Sequence, residues 1–208
     1  MWDLFNESGA VVNFHTGSGI RREETEAIRA ARYAESPRPA SGAAPSPSWN
    51  SFGPQRRLAV GATQVSMSNV RIIVNLCMSD LFDRYPRLQV VSAESGIGWI
   101  PFILESMEFQ LDEMVTDPDE VVLQSRRPTE YFGDHIYVMF WFETYAPQTM
   151  LDHIGVERIL VETDLPHPTC LYPSPRKHFA KVLSSVPRDT RRRILRDNAV
   201  ELYHLDVP

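Results

Sequence analysis

The sequence has little cysteine, no excess of basic residues and no long apolar run, and each absence excludes a class of protein. Its 208 residues include two cysteines, which form neither a disulfide framework nor a CxxC metal pair. With 21 basic and 27 acidic residues, the net charge of -6 argues against a partner held through nucleic-acid phosphates. Because no segment has the length and apolarity of a signal peptide or a bilayer span, we expect a soluble, cytoplasmic protein without a membrane partner.

The composition is that of a globular protein with one insert. Hydrophobic residues make up 43% and charged residues 23% of the chain, so we expect a single domain over residues 1–208. Residues 20–64 interrupt it. A charged, alanine-rich stretch predicts a helix over 20–34, and proline, serine and glycine crowd residues 35–54. Such a stretch is typical of a lid or a disordered insert.

Four short apolar stretches predict β-strands, each followed by a helix. The predicted strands end at His15, Glu94, Phe142 and Asp164. This alternation predicts an α/β fold of parallel βα units with right-handed crossovers. A whole (β/α)8 barrel needs roughly 250 residues, so four units make either a partial TIM barrel or an open sheet.

The last predicted strand ends in a group of acidic residues. Arg158 to Val161 have the pattern of a buried strand, and Pro166 cannot continue the sheet hydrogen bonds, so Glu162 and Asp164 lie at or just past the strand's end. In parallel α/β folds, ligands bind at that end. Asp164 is therefore a candidate for chemistry, and the alternative is that it caps a turn or the next helix.

The ends of parallel strands share one edge, which predicts that His15, Glu94, Glu143 and Asp164 lie close together. Histidine, glutamate and aspartate are ligands that a divalent metal takes in an active site. The alternatives are a structural histidine beside a turn for His15 and a helix-capping carboxylate for Glu143. Glu94 is harder to explain structurally, because a carboxylate after a run of apolar and small residues needs a partner.

The turn Thr16-Gly-Ser-Gly19 supports a different hypothesis. A glycine-rich turn after a strand can cradle a phosphate, which would make the chain a phosphate-binding α/β module. The turn lacks both the dinucleotide-binding fingerprint and the P-loop lysine, so this signal is weak.

Four segments occur in order along the chain: Phe14-His-Thr-Gly17, Val91-Ser-Ala-Glu-Ser-Gly-Ile-Gly-Trp-Ile-Pro-Phe102, Val161-Glu-Thr-Asp-Leu-Pro-His167 and Arg196-Asp-Asn-Ala-Val-Glu-Leu-Tyr203. Together they resemble the C-terminal half of the amidohydrolase-related family. That family is a branch of the metal-dependent hydrolase superfamily and includes non-oxidative decarboxylases of aromatic and aminomuconate-type acids. The resemblance implies a distorted (β/α)8 barrel that binds one divalent ion, commonly zinc or manganese.

The resemblance also implies roles for individual residues. His15 falls on a metal-binding histidine, and Asp164 falls on an aspartate that binds the metal and transfers protons. Glu94 replaces an acid/base histidine of the family, so proton transfer there would require a carboxylate with a raised pKa. The family's first-strand His-x-His or Glu-x-His pair has no counterpart, because its strands one to four are missing from this chain.

The leading hypothesis is a metal-dependent hydrolase or non-oxidative decarboxylase of a small cyclic or carboxylic substrate. Asp164 and Glu94 would move protons, and Thr16, Trp141 and His167 would contact the substrate. The chain would be a truncated product, or a half-barrel completed by a missing N-terminal half or by a second copy. The rival hypothesis is a non-catalytic half-barrel that associates with itself or with another subunit. The fold does not choose between hydrolysis and decarboxylation.

Overall fold

The computed structural model describes residues 1–17 and 53–207, which contain one parallel β-sheet. Its strands are β1 (Val12–His15), β2 (Val90–Ala93), β3 (Ile136–Phe140) and β4 (Ile159–Val161). They lie in the order β1-β2-β3-β4, and every neighbouring pair is parallel. Because consecutive strands are neighbours and run the same way, each connection must cross back over the sheet, as the sequence predicts.

Helices fill these connections. They are α1 (Trp2–Ser8), α2 (Gly53–Val65), α3 (Asn69–Cys77), α4 (Leu81–Arg84), α5 (Ile100–Met114), α6 (Pro118–Val121), α7 (Pro128–His135), α8 (Ala146–Thr149), α9 (Leu151–Ile154), α10 (Pro175–Val182), α11 (Arg188–Arg192) and α12 (Asn198–Tyr203). A 3-10 turn, Val156–Arg158, precedes β4, and a π-helical segment, Arg193–Asp197, joins α11 to α12. Within the described ranges, no helix is long and apolar enough to cross a membrane.

Several helix boundaries follow from the sequence. α1 ends at Ser8, where the next residue, Gly9, has φ 69° and donates its N–H to the Phe5 carbonyl. Pro101 lies in the first turn of α5, where the absence of its N–H costs no helical hydrogen bond.

Two stretches of helix differ in their bounds from the sequence pattern. The insert or loop expected over residues 20–64 overlaps a helix, since Gly53–Val65 form α2, with Pro54 tolerated in its first turn. Apolar residues at helical spacing from Val65 to Phe82 predict a helix, which the structure places at α3, with turns separating it from α2 and α4. The helix predicted over residues 20–34 lies outside the described residues.

One face of the sheet packs against the helices and forms the main hydrophobic core. Its buried members include Val90, Ile136, Val138, Phe140 and Ile159 from the strands, and Ile73, Phe82, Met107 and Phe132 from the helices. His135 lies beside this core, stacked on Phe82 with 4.3 Å between ring centroids. Burial lowers the pKa of His135, so this histidine is neutral and structural.

The opposite face of the sheet is covered by α12. Val91 and Leu160 point to this side and pack against Leu202, and all three are buried. The Asn198 amide, at the start of α12, donates to the carbonyls of Val156 and Ile159 at 2.8 and 2.7 Å. α12 is thereby anchored beside the beginning of β4, which leaves the C-terminal ends of the strands to carry the polar residues described next.

Candidate active site

Side chains from three strand ends meet at the C-terminal edge of the sheet. His15 is the last residue of β1, Glu94 follows β2, and Asp164 lies beyond β4. His15 Nε2 and Glu94 Oε2 are 2.9 Å apart, and the Asp164 carboxyl lies close enough to Glu94 to raise its pKa. The structure therefore brings these three predicted residues together, while their chemical roles stay predictions.

Glu94 and Asp164 share an unusual backbone conformation. Their φ angles are 52° and 57°, in the left-handed region that is unfavourable for a residue with a Cβ. Such conformations persist where surrounding contacts hold them, and they cluster at functional sites. The Asp164 carbonyl also accepts the His167 N–H at 2.8 Å, so Asp164 does begin a turn, as the alternative interpretation expects.

The contacts of His15 and Glu94 favour a proton held between them. His15 Nδ1 donates to the Thr16 carbonyl at 2.8 Å, and this bond, together with the nearby Glu94 carboxylate, raises the pKa of His15. Burial, and then the hydrogen bond with Asp164, raise the pKa of Glu94. Both groups therefore keep a proton to higher pH than they would in water.

Glu162 is a member of this site that sequence analysis missed. It directly follows β4, and its Oε1 accepts the backbone N–H of Glu94 at 2.9 Å. Burial, with added repulsion from the Glu94 and Asp164 carboxylates, raises the pKa of Glu162 to about 7. The position of Glu162 at the strand end could have identified it. Glu162 lies two residues after Leu160, and because side chains alternate along a strand, the two point to the same face of the sheet.

Glu143, after β3, supports the neighbouring loop. Its carboxylate accepts the N–H groups of Ile97 and Gly98, with distances of 3.0 Å, in the turn that leads into α5. A Cβ added to Gly96 would lie 2.9 Å from Glu143 Oε2, and Gly96 has φ 69°, so glycine is needed there. These N–H groups lie in the turn before α5, so Glu143 holds that turn, and a helix-capping role for it stays a prediction.

The three predicted substrate contacts have different surroundings. The Thr16 hydroxyl donates to the Val65 carbonyl at 2.6 Å, which ties β1 to α2. His167 Nδ1 lies 3.1 Å from Asp164 Oδ2, at the edge of the site. Trp141 is only 6% exposed, and its indole N–H has no hydrogen-bond partner among the described residues. Their contact with substrate stays a prediction, and part of the predicted phosphate-binding turn, Ser18 and Gly19, lies outside the described ranges.

An imidazole and several carboxyls are suitable donors for zinc or manganese, but they do not form a complete site. Among residues 1–17 and 53–207, no group of three or more His, Cys, Asp or Glu side chains is arranged to hold a metal ion. His15 Nε2 faces the Glu94 carboxyl instead. His15 and Asp164 thus fit a divalent ion in ligand type, and a closed site requires further donors.

Solved structures share this fold. An amidohydrolase from Mycobacterium avium subsp. paratuberculosis matches with 23% identity and a TM-score of 0.62, covering 99% of this chain and 45% of that chain. A dihydroxybenzoic acid decarboxylase from Polaromonas sp., with bound manganese and the inhibitor 2-nitroresorcinol, matches with 18% identity and a TM-score of 0.64, covering 100% and 53%. A 5-carboxyvanillate decarboxylase from Sphingomonas paucimobilis matches with 18% identity and a TM-score of 0.62, covering 99% and 52%.

This chain thus spans about half the length of the solved structures it matches. Its parallel βα units correspond to part of a (β/α)8 barrel, which confirms the predicted fold class. No curated protein matches the sequence. The family model described as amidohydrolase matches residues 1–205, and the chain therefore belongs to the amidohydrolase family.

Proposed function

We propose that this chain supplies half of a metal-dependent amidohydrolase active site, which acts as a hydrolase or a non-oxidative decarboxylase on a small cyclic or carboxylic substrate. The observation that carries this proposal is the chain of contacts from His15 through Glu94 to Asp164 at the C-terminal edge of a parallel sheet. In (β/α)8 barrels that edge holds the active site. Two neighbours named as decarboxylases favour decarboxylation, and the family model favours hydrolysis.

His15 and Asp164 are the residues that would hold one zinc or manganese ion. The neighbour from Polaromonas sp. has bound manganese, which supports this assignment. Glu94 and Glu162 lie beside these residues with raised pKa values, and a nearby cation would stabilise their charged forms. When bound, the ion would polarise a substrate carboxylate or a water molecule.

Glu94 is the residue to which we assign proton transfer. Burial and the Asp164 carboxyl raise its pKa, and a cation on Asp164 would oppose that shift, so Glu94 can both take up and give back a proton near neutral pH. The protonated acid can donate to a leaving group, or to the ring carbon that loses its carboxylate. Asp164 accepts a hydrogen bond from the protonated Glu94 carboxyl, while His15, 2.9 Å from Glu94, is kept for the metal ion.

The substrate would lie against Trp141. Its indole N–H is buried without a partner among the described residues, and a substrate oxygen would satisfy that donor. Thr16 and His167 would flank the substrate from the ends of β1 and β4. The cytoplasmic location expected from the sequence is part of the same proposal.

The rest of the site would come from a second polypeptide segment, either an N-terminal half-barrel or another copy of this chain. In the described part of the chain, β1 and β4 each have one neighbour only, so both edges can pair with further strands. Further ligands to the ion would then come from the partner.

Metal binding tests this proposal. Purified protein is loaded with Zn²⁺ or Mn²⁺, desalted, and analysed for metal per chain. Where a second copy of the chain completes the site, we expect about one equivalent, falling to about a tenth in His15→Ala and Asp164→Asn. His153→Ala, which removes an exposed histidine of α9, is the matched control and should keep its metal. Release of CO2 from hydroxybenzoates and hydrolysis of cyclic amides or esters then distinguish the two reactions.

A second candidate function is a non-catalytic half-barrel that associates with itself or with another subunit. It is favoured by the two free sheet edges and by the absence of a complete metal-binding group among the described residues. This candidate predicts less than about a tenth of an equivalent of metal in the wild type, together with a mass in light scattering above that of one chain.

A further inference from the structure

The peptide unit between Ala93 and Glu94 is held from both sides. Its carbonyl, on Ala93, accepts the Thr16 N–H at 3.1 Å and the Asn69 side-chain amide at 3.2 Å. Its N–H, on Glu94, donates to Glu162 Oε1 at 2.9 Å. The first two bonds come from the residue after β1 and from α3, and the third comes from a side chain just after β4.

This peptide determines where the Glu94 carboxyl points. Glu94 has φ 52°, and it turns the chain away from β2 just where the strand ends. In an extended conformation, successive side chains would alternate between the two faces of the sheet. With its left-handed backbone conformation, Glu94 instead lies beside His15 and Asp164. A rare conformation persists only where surrounding contacts hold it.

The acceptor for this N–H is a carboxylate at an unfavourable position. Glu162 is partly buried and lies near the Glu94 and Asp164 carboxyls, which repel its charged form. Packing alone does not explain a glutamate there, since an apolar residue would avoid both the burial and the repulsion. An apolar residue would, however, leave the Glu94 N–H without its acceptor.

We infer that Glu162 is a positioning residue, whose carboxylate fixes the Glu94 backbone so that the Glu94 carboxyl faces His15 and Asp164. The catalytic meaning of this role depends on the proposed function, but the positioning itself does not. Glu143 performs a related task further along the same loop, where it holds the Ile97 and Gly98 N–H groups. The end of β2 is thereby set by carboxylates from the two strands that follow it.

The test is NMR spectroscopy of the metal-free protein in the presence of a chelator. In the wild type, a through-hydrogen-bond coupling should connect the Glu94 amide nitrogen to the Glu162 carboxyl carbon. Glu162→Ala should make the Glu94 amide exchange with solvent about tenfold faster or more, and it should move the His15 ring resonances toward those of Glu94→Ala. Glu162→Gln keeps an acceptor oxygen and should retain both wild-type signals.

Glu108→Ala is the matched control. Glu108 also accepts a backbone N–H, from Thr129 at 2.9 Å, but it lies away from the site. Its loss should lower the melting temperature and leave the His15 ring resonances in place. The inference is overturned if the wild-type coupling is absent, or if Glu162→Ala leaves the Glu94 amide and His15 ring unchanged. Because metal is absent throughout, failure of the metal proposal would not alter these outcomes.

Discussion

Replacement of Glu162 by glutamine should change how stability depends on pH. Burial raises the pKa of Glu162 from 4.5 to about 7 in the folded protein. Between those two values the folded chain keeps a proton that the unfolded chain releases, so the free energy of unfolding falls as the pH rises. Glutamine does not titrate, and it can still accept the Glu94 N–H.

The size of the effect follows from the two pKa values. The difference between 4.5 and about 7 corresponds to about 3 kcal/mol in the free energy of unfolding. The wild type loses this free energy of unfolding in full above pH 7 and keeps it below pH 4.5. Glu162→Gln should therefore become more stable than the wild type as the pH rises across this window. At about pH 8.5 we expect Glu162→Gln to be more stable by about 2–3 kcal/mol, and at about pH 5 by less than about 1.

Urea unfolding of metal-free protein at these two pH values measures the difference. Glu108→Gln is the control. Burial raises the pKa of Glu108, but hydrogen bonds from Thr129 and Arg127 outweigh burial, and the pKa is lowered. The stability that charged Glu108 contributes is therefore present above pH 4.5 and is lost only in more acidic solution. The free energy of unfolding of Glu108→Gln, plotted against pH, should therefore run parallel to that of the wild type from pH 5 to 8.5. If Glu162→Gln also parallels the wild type, Glu162 is not held in a buried and repulsive environment, and the reasoning is wrong.

Four further substitutions, one of them a control, test the fold by urea unfolding. Gly96→Ala introduces a Cβ beside Glu143 at positive φ and should destabilise by about 1–3 kcal/mol, whereas Gly133→Ala, with open space around it, should change stability by less than about 1 kcal/mol. Asn198→Ala removes two hydrogen bonds to carbonyls at the start of β4 and should lower the free energy of unfolding by about 2 kcal/mol. An unchanged free energy of unfolding would show that these bonds do not anchor α12. Phe82→Ala should cost about 3–5 kcal/mol, since its ring is 1% exposed, and a smaller loss would mean that the cavity collapses.

The sequence predicts the sheet and the meeting of His15, Glu94 and Asp164, because parallel strands must end at a common edge. It does not predict the contribution of Glu162. That residue's importance comes from a hydrogen bond to a backbone 68 positions away, and from a left-handed turn at Glu94 that no local pattern specifies. Pairing partners of this kind are set by tertiary structure.

The boundary of the insert is missed for a different reason. Gly53 and Pro54 are typical of a loop, yet proline is well tolerated in the first turn of a helix, and α2 begins there. The Val65 carbonyl at the end of α2 accepts a hydrogen bond from the Thr16 hydroxyl at 2.6 Å, and the two residues are 49 positions apart. Local composition thus suggests a linker where long-range contacts support a helix.

The attachment of α12 to β1 has a consequence for synthesis on the ribosome. The Tyr203 hydroxyl donates to Asn13 Oδ1 at 2.8 Å, across 190 positions of sequence. At about 5–20 residues per second, a nascent chain waits roughly 10–40 s after making Asn13 before it makes Tyr203. Leu160 itself is made only about 2–8 s before Leu202, and over that interval Val91 and Leu160 lack the cover that Leu202 gives them, which leaves apolar surface of the kind that chaperones bind.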